Sequence, residues 1–298
     1  MASGEAAPRR DALQTAIRAG KFFLFYFVSA QIFGWLVWGL NNPLLSGTAL
    51  VLATGLIANG LCLRIFESRP LSDAGLWLNS RAGLNLLLGV AGGMGAAALV
   101  LGPPLAVGAA HFVKLTDEPA SASGMLFLIG MLAAGSIGEE LLFRGYALQI
   151  LIAAAGPWAT IIPVGLLFGL LHYGNPSATI LSSGITAGFG ILFGYAYLRS
   201  RDLWLPIGLH FGWNFTLPLF GVNMSGLRIR VTGYEMSWTA GNLWSGGEYG
   251  PEGSVLTVLV LVALFVYVWK IPVRRQISPL TDPPQEGAVC ETPQSLPS

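Results

Sequence analysis

The stretch that decides the fold is AAGSIGEELLFR, residues 133–144, in which Glu139, Glu140 and Arg144 interrupt an otherwise apolar run. The run extends from about residue 125 to 148, and a helix of about 20 apolar residues crosses a hydrocarbon core. A charged side chain near the bilayer centre costs about 2.5 to 3.5 kcal/mol, so these three must pair or line a wet cavity. We therefore expect a membrane protein with a polar interior at this point.

The composition agrees with a membrane protein. Hydrophobic residues make up 53% of the 298 residues and charged residues only 10%, against roughly 25% charged in a soluble domain. The net charge is +1 and no long basic run is present, which argues against a nucleic-acid partner. The expected partners are membrane lipid and a protein or peptide substrate.

Apolar segments of spanning length recur along the chain and predict an all-α, polytopic membrane helix bundle of about eight transmembrane helices. The apolar stretch between Gly102 and Val113 is interpreted as a re-entrant or interfacial piece. The predicted spans are 22–40, 47–63, 82–101, 125–148, 155–173, 178–198, 203–220 and 254–270.

The predicted domain organisation has three parts. Residues 1–20 form a cytoplasmic N-terminal tail, residues 21–275 the transmembrane domain, and residues 276–298, rich in Pro, Gln, Thr and Ser, a disordered tail. Twelve Lys and Arg residues fall on one side of the predicted spans and three on the other. Because basic loops stay cytoplasmic, both termini are expected in the cytoplasm. We expect a multi-pass protein of a bacterial inner membrane.

The charged residues of the fourth span divide into a pair and a single carboxylate. Glu140 and Arg144 are four residues apart, which favours an ion pair on one helix face. Glu139 is rotated by about 100° from Glu140, so the same arginine does not easily neutralise both. Glu139 therefore is the candidate for chemistry, whereas a purely structural role is the simpler interpretation of the pair.

Two histidines lie in apolar spans beside suitable neighbours. His172 follows Phe168 by one helical turn, and His210 precedes Asn214 by one turn. A carboxylate, two imidazoles and an amide that converge in a bundle offer a base, proton-transfer groups and hydrogen-bond donors for an oxyanion. Alternatively, each histidine serves only as an interhelical hydrogen-bond partner, and Phe168 as packing.

Three motifs resemble those of the CAAX prenyl protease and bacteriocin-processing (Abi-like) family of intramembrane proteases. Residues 139–144 resemble its Glu-Glu-x-x-x-Arg motif, residues 168–172 its Phe-x-x-x-His motif, and residues 210–214 its His-x-x-x-Asn motif. All three occur in the family's order within a motif core at 125–220. The resemblance implies an eight-span bundle and hydrolysis of a peptide bond of a membrane-associated or lipid-modified protein.

The resemblance also implies roles for these residues. Glu139 would activate the attacking water with help from His172, while His210 and Asn214 would stabilise the oxyanion. Arg144 would hold Glu140 in place. Glu140 completes the catalytic set that the resemblance implies. No cofactor is expected: two widely spaced histidines lack the local ligand pair of a zinc helix, although Glu139, His172 and His210 would be the ligands of a zinc enzyme.

Two further expectations follow from the span positions. Counted at about 1.5 Å per residue, Glu139 and His210 fall in the cytoplasmic half of the membrane and His172 nearer the outer half. The depth of Glu139 and His210 favours substrate access from the cytoplasm. The alternative functions are a catalytically silent scaffold or immunity-type protein and a transporter, the latter disfavoured because no inverted repeat is evident.

Overall fold

A computed structural model describes residues 11–282 as a bundle of helices with one small β-ribbon. The all-α prediction is confirmed, and each of the eight predicted spans overlaps at least one helix. The helices are α1 (Ala12–Val37), α2 (Pro43–Cys62), α3 (Ser80–Ala106), α4 (Ala122–Arg144), α5 (Tyr146–Ala155), α6 (Pro157–His172), α7 (Ile180–Ser200), α8 (Trp204–Leu219), α9 (Asn242–Ser245) and α10 (Val255–Lys270).

Several of these helices have the length and composition of membrane spans. In the described part of the chain, five segments are long and apolar enough: Ala12–Val37, Pro43–Glu67, Ser80–Ala106, Ala122–Ala155 and Ile180–Ser200. Pro157–His172 and Val255–Lys270 are shorter apolar helices. These helices identify the protein as an integral membrane protein.

The bundle has two distinct ends. We call one the terminal end: it holds the start of α1, residues 63–80, residues 201–203 and residues 271–282, which bond to one another through contacts such as Leu203 N to Gly75 O and Asn79 to Gln276. We call the other the loop end: it holds residues 38–42, 107–121, 173–179 and 220–254, joined by bonds such as Ser121 N to Val231 O and Thr239 N to Ala109 O.

Paired glycines bring α3 and α8 into backbone contact. A Cβ on Gly89 or Gly93 would lie 2.4 Å from Leu205 O or 2.2 Å from Leu209 O. Reciprocally, a Cβ on Gly208 or Gly212 would meet backbone atoms of α3 at 2.4 Å. This is the small-residue spacing that allows close packing of helices in lipid, and it fixes the helix that carries His210.

The fourth predicted span, 125–148, is corrected by the structure, because α4 ends at Arg144 and α5 begins at Tyr146. Asn59 of α2 stabilises the break: its Nδ2 donates to Leu141 O at 2.9 Å, and its Oδ1 accepts from Tyr146 N at 2.7 Å. A Cβ on Gly145 would lie 2.2 Å from Asn59 Oδ1. Only glycine therefore fits this position.

The segment between Gly102 and Val113 is not the predicted re-entrant piece. Helix α3 continues through Pro103 and Pro104 to Ala106, and strand β1 (Ala110–Lys114) follows. β1 pairs antiparallel with β2 (Tyr234–Trp238), His111 opposite Ser237. A strand satisfies its backbone by pairing across the loop end, which the apolar composition alone did not indicate.

The predicted tail boundaries are also corrected. Helix α1 begins at Ala12, so most of residues 11–20 is helical, and residues 276–282 are packed instead of disordered. Gln276 donates to the buried Asp202 at 2.7 Å, and Tyr197 donates to Ser278 at 3.2 Å. Residues 1–10 and 283–298, the remainder of the predicted tails, lie outside the described residues.

Candidate active site

A cavity of about 570 Å³ opens within the bundle and collects most of the candidate residues. Glu139, Phe168, His172, His210 and Asn214 all line it, from α4, α6 and α8. Glu140 and Arg144 do not line it but lie behind its wall, fully buried. The structure therefore brings all seven residues of the three motifs into one region.

The buried pair of Glu140 and Arg144 contacts a third residue, His210. Arg144 donates to Glu140 Oε1 at 3.3 Å, and the same oxygen lies 2.9 Å from His210 Nδ1. The arginine and glutamate are one turn apart on α4, whereas the histidine is on α8. A carboxylate in this position holds Nδ1–H toward itself and leaves Nε2 of His210 directed at the cavity.

Aromatic rings enclose the Arg144 guanidinium. Its Cζ lies 4.8 Å from the ring centre of Phe168 and 5.3 Å from that of Phe193, and its second terminal nitrogen donates to Gly190 O at 2.7 Å. Ring faces attract a cation, so burial of the charge is offset by the pair with Glu140, by these rings and by the carbonyl. The Phe168 ring thus packs on the guanidinium and also lines the cavity.

Glu139 lies between the two imidazoles. Its Oε2 is 3.9 Å from Nε2 of His172 and 3.9 Å from Nε2 of His210. Within residues 11–282 this oxygen is buried and has no hydrogen-bond partner. Arg144 bonds to the neighbouring Glu140, so the geometry agrees with the division into a pair and a single carboxylate.

The ring of His172 is oriented by its own helix. Its Nδ1 lies 2.7 Å from Phe168 O, one turn earlier on α6. A carbonyl oxygen can only accept, so Nδ1 carries the proton in the neutral ring and Nε2 presents a lone pair. Both histidines therefore direct Nε2 at Oε2 of Glu139.

The predicted depth difference between Glu139 and His172 is wrong. A helical side chain tilts toward the N-terminus of its own helix. Helix α4 starts beside Val231 at the loop end and α6 ends there, so the two run in opposite directions and their side chains lean toward each other. Helix α6 is also only 16 residues long, which shortens the distance that the residue count assumed.

Sequence reasoning missed a second carboxylate that lines the cavity. Glu252, on the loop before α10, lines the cavity and is 8% exposed. It accepts from Trp213 Nε1 at 3.0 Å and from the backbone N and the Oγ of Ser225. Burial raises the pKa of Glu252, while the bonds from Trp213 and Ser225 and the nearby His172 oppose that shift. No motif marks this glutamate; its placement depends on how the loop folds back.

The donor atoms of this site are of the types that zinc uses, but their spacing differs. Zinc ligands lie about 2.0 to 2.2 Å from the metal, so two ligands of a tetrahedral site are about 3.3 to 3.6 Å apart. Both Oε2 to Nε2 distances here are 3.9 Å. In residues 11–282, no group of three or more His, Cys, Asp or Glu side chains has the arrangement of a metal site. The residues as placed do not fit a zinc ion.

The geometry can be compared with known proteins. Residues 119–216 match the model of a family described as Rce1-like, type II CAAX prenyl endopeptidase Rce1-like. This segment is similar to the Rce1-like family. The resemblance inferred from the three motifs is confirmed, because the matched residues contain all of them. No curated protein matches the chain.

The match indicates the general type of activity. The Rce1-like segment spans α4 to α8 up to Thr216 and contains both histidines and both glutamates. It indicates a protease-type enzyme that acts in the membrane. Helices α1 to α3, the loop 220–254 and α10 lie outside the matched residues, yet α2 and this loop contribute to the cavity wall.

Proposed function

We propose that this protein is an intramembrane endopeptidase that hydrolyses a peptide bond of a membrane-associated or lipid-modified protein with a water activated by Glu139. The observation that carries the proposal is the position of Glu139 Oε2, 3.9 Å from Nε2 of each histidine at the inner part of a cavity. A base, two imidazoles and an amide surround one point that a scissile carbonyl can reach.

The attacking water sits between Glu139 and His172 in this proposal. Both Oε2 of Glu139 and the unprotonated Nε2 of His172 accept hydrogen bonds, and they are 3.9 Å apart. One water at about 2.8 Å from each atom donates one hydrogen to each. As the water oxygen bonds to the carbonyl carbon, its proton passes to Glu139.

His210 and Asn214 stabilise the oxyanion. Glu140 holds Nδ1–H of His210, so Nε2 donates to an oxyanion when the ring carries both protons. The side-chain amide of Asn214 lines the same cavity one turn later on α8 and supplies a second donor. Removal of one such donor typically costs about 100- to 1,000-fold in rate.

The reaction is completed by proton return. The tetrahedral intermediate collapses as the C–N bond breaks, and Glu139 gives the proton that it took from water to the leaving amine. Glu140 and Arg144 touch no reacting atom: Glu140 orients His210, and Arg144 holds Glu140. They are positioning residues. No step of this scheme needs a metal, and we propose that none is required.

We further propose the setting of the enzyme. It is a multi-pass protein of a bacterial inner membrane with both termini in the cytoplasm. Its partners are lipid and a protein or peptide that carries an apolar or lipidated segment. Nucleic acid is not among its partners. The charge asymmetry of the loops supports the orientation. The apolar wall of the cavity, which includes Met131, Leu132 and Phe189, supports the class of substrate.

Cleavage of a panel of labelled peptides, prenylated and unmodified, by purified protein in detergent tests the proposal. Glu139→Gln should abolish cleavage, and Glu248→Gln, an exposed carboxylate on the loop outside the cavity, should not. Wild-type activity should survive a strong zinc chelator. Cleavage that persists in Glu139→Gln would overturn the glutamate mechanism, and loss on chelation with recovery on added zinc would overturn the metal-free one.

A catalytically silent scaffold gives a different result in the same experiment. Such a protein would cleave no peptide of the panel, and any peptide binding would survive both Glu139→Gln and His210→Ala. A transporter would show flux of solute into proteoliposomes without hydrolysis. Binding and flux measurements on the same preparations therefore separate the three functions.

A further inference from the structure

We propose that the substrate reaches Glu139 from the loop end of the bundle and that this end faces away from the cytoplasm. The substrate is then an apolar peptide segment presented on the non-cytoplasmic face of the membrane, such as the end of an exported or outer-leaflet-anchored chain. The inference rests on the proposed peptidase function for the cleavage itself, but the direction of access is argued from the cavity and the charges alone.

The cavity is lined from the loop end. Helix α2 contributes residues only from its first half, Pro43 to Val51, and α6 only from its last turns, Phe168 and His172. Both of these helix ends lie at the loop end. The remaining wall comes from the middle of α4, α7 and α8 and from the loop 220–254. Among the described residues, the terminal end contributes none to the lining.

The rim of the cavity is exposed, whereas its inner end is closed. Asn42, Leu227 and Arg228 lie on the rim and are exposed. Behind Glu139, toward the terminal end, lie Glu140 and Arg144, both fully buried. The Arg144 guanidinium is bonded to Gly190 O and enclosed by aromatic rings. A peptide that entered from the terminal end would have to displace this buried ion pair.

The charges of the two ends differ. Ten Lys and Arg residues of the described chain belong to the terminal end or the adjoining helix turns, from Arg18 to Arg275. At the loop end there are three, Lys114, Arg228 and Arg230. Basic residues in short loops are retained in the cytoplasm. The terminal end therefore faces the cytoplasm, and the rim of the cavity faces the opposite side.

The depth of Glu139 in the bundle and the direction from which the cavity reaches it point to opposite ends of the molecule. Glu139 lies only five residues before the end of α4, toward the terminal end, and a residue count alone therefore favours access from the cytoplasm. The cavity, however, reaches this depth from the loop end. Its walls carry aliphatic and aromatic side chains such as Leu44, Val51 and Ile185, so an extended apolar segment fits the path better than a polar one.

Two kinds of variant test the orientation and the access path. In a Cys290→Ser background, Thr116→Cys marks the loop end and Ser80→Cys the terminal end; both positions are exposed, and the native Cys62 is buried. Intact spheroplasts treated with a membrane-impermeant maleimide should label Thr116→Cys and spare Ser80→Cys. The reverse pattern would overturn the proposed orientation.

Thr48→Cys, inside the cavity, tests the access path. It should be labelled from the same side as Thr116→Cys, and labelling only from the other side would overturn the proposed path.

Cleavage is then measured in sealed vesicles of phosphatidylethanolamine and phosphatidylglycerol. The probe is the peptide cleaved best in detergent, carrying a sulfonated dye that prevents it from crossing the bilayer. Vesicles with the loop end outward should cleave external peptide within about 2-fold of the permeabilised rate, and vesicles with the terminal end outward at least about 10-fold more slowly. The opposite ratio would overturn the inference. Failure of cleavage in detergent would instead reject the peptidase function, and the Thr48→Cys labelling would still decide the access path.

Discussion

Nε2 of His172 lies 3.9 Å from Oε2 of Glu139, although the two residues belong to different helices of opposite direction. The two side chains are positioned in different ways. The His172 ring is oriented by a hydrogen bond to the carbonyl of Phe168, and Glu139 is positioned by the packing of α4 against α2. Neither atom is a donor in the neutral-histidine, ionised-glutamate state. The two atoms are therefore both acceptors, and in the proposed mechanism they share the attacking water.

His172→Asn should lower kcat by about 100- to 10,000-fold, the usual range for loss of a positioned acid–base group. KM should change little, because the ring contributes only a small part of the cavity wall. Peptide cleavage by purified variants in detergent measures both constants. The matched control is His111→Asn, since His111 lies on strand β1 outside the cavity. A variant at His172 that keeps wild-type kcat would remove this residue from the mechanism.

The sequence predicted the residues of the site better than their arrangement. The Glu140–Arg144 pair followed from a spacing of four on a helix, and the structure contains it at 3.3 Å. The position of His172 was misjudged because a residue count assigns depth to Cα atoms and ignores the tilt of side chains. The β-ribbon was not predicted because it pairs residues that are more than 100 positions apart in the chain. The position of Glu252 was not predicted because it depends on a loop that folds onto α8.

Glu140→Gln should destabilise the protein by about 3 to 5 kcal/mol, because it leaves the buried Arg144 charge without its partner. Arg144→Met should destabilise it by a similar amount. The double variant should cost clearly less than the sum of the two, since neither buried charge remains. Thermal unfolding in detergent measures all three. Additive losses would show that the two side chains do not depend on each other.

The same two variants should affect catalysis through His210. Glu140→Gln leaves the Nδ1 proton of His210 without its charged acceptor, so the pH profile of kcat should shift even where the variant is fully folded. Glu140→Asp, which keeps a carboxylate, should restore part of the rate. An unchanged profile would limit Glu140 to a structural role.

Gly93→Ala should destabilise the bundle by about 1 to 3 kcal/mol and reduce cleavage, because its Cβ would lie 2.2 Å from Leu209 O and force α8 away from α3. Displacement of α8 moves His210 relative to Glu139. Gly95→Ala on the same helix is the control, since a Cβ there meets nothing within 4 Å. Equal unfolding temperatures and rates for both variants would contradict the close packing of α3 and α8.

Glu252 should make stability depend on pH. Burial raises its pKa above the ordinary value of 4.5, so the native state keeps the proton where the unfolded chain has lost it. Stability contributed by this group is therefore present below about pH 4.5 and is lost as the pH rises through the folded pKa. The unfolding temperature of wild type minus that of Glu252→Gln should be largest near pH 4.5 and should fall toward pH 8.

The control for this prediction is Glu248→Gln, which removes an exposed carboxylate of the same loop. A constant difference for Glu252→Gln would show that its carboxyl ionises in the folded protein as it does in the unfolded chain. Because Glu252 joins Trp213 of α8 to Ser225 of the loop, the same variant should also loosen the loop over the cavity. KM for the peptide should then change more than kcat.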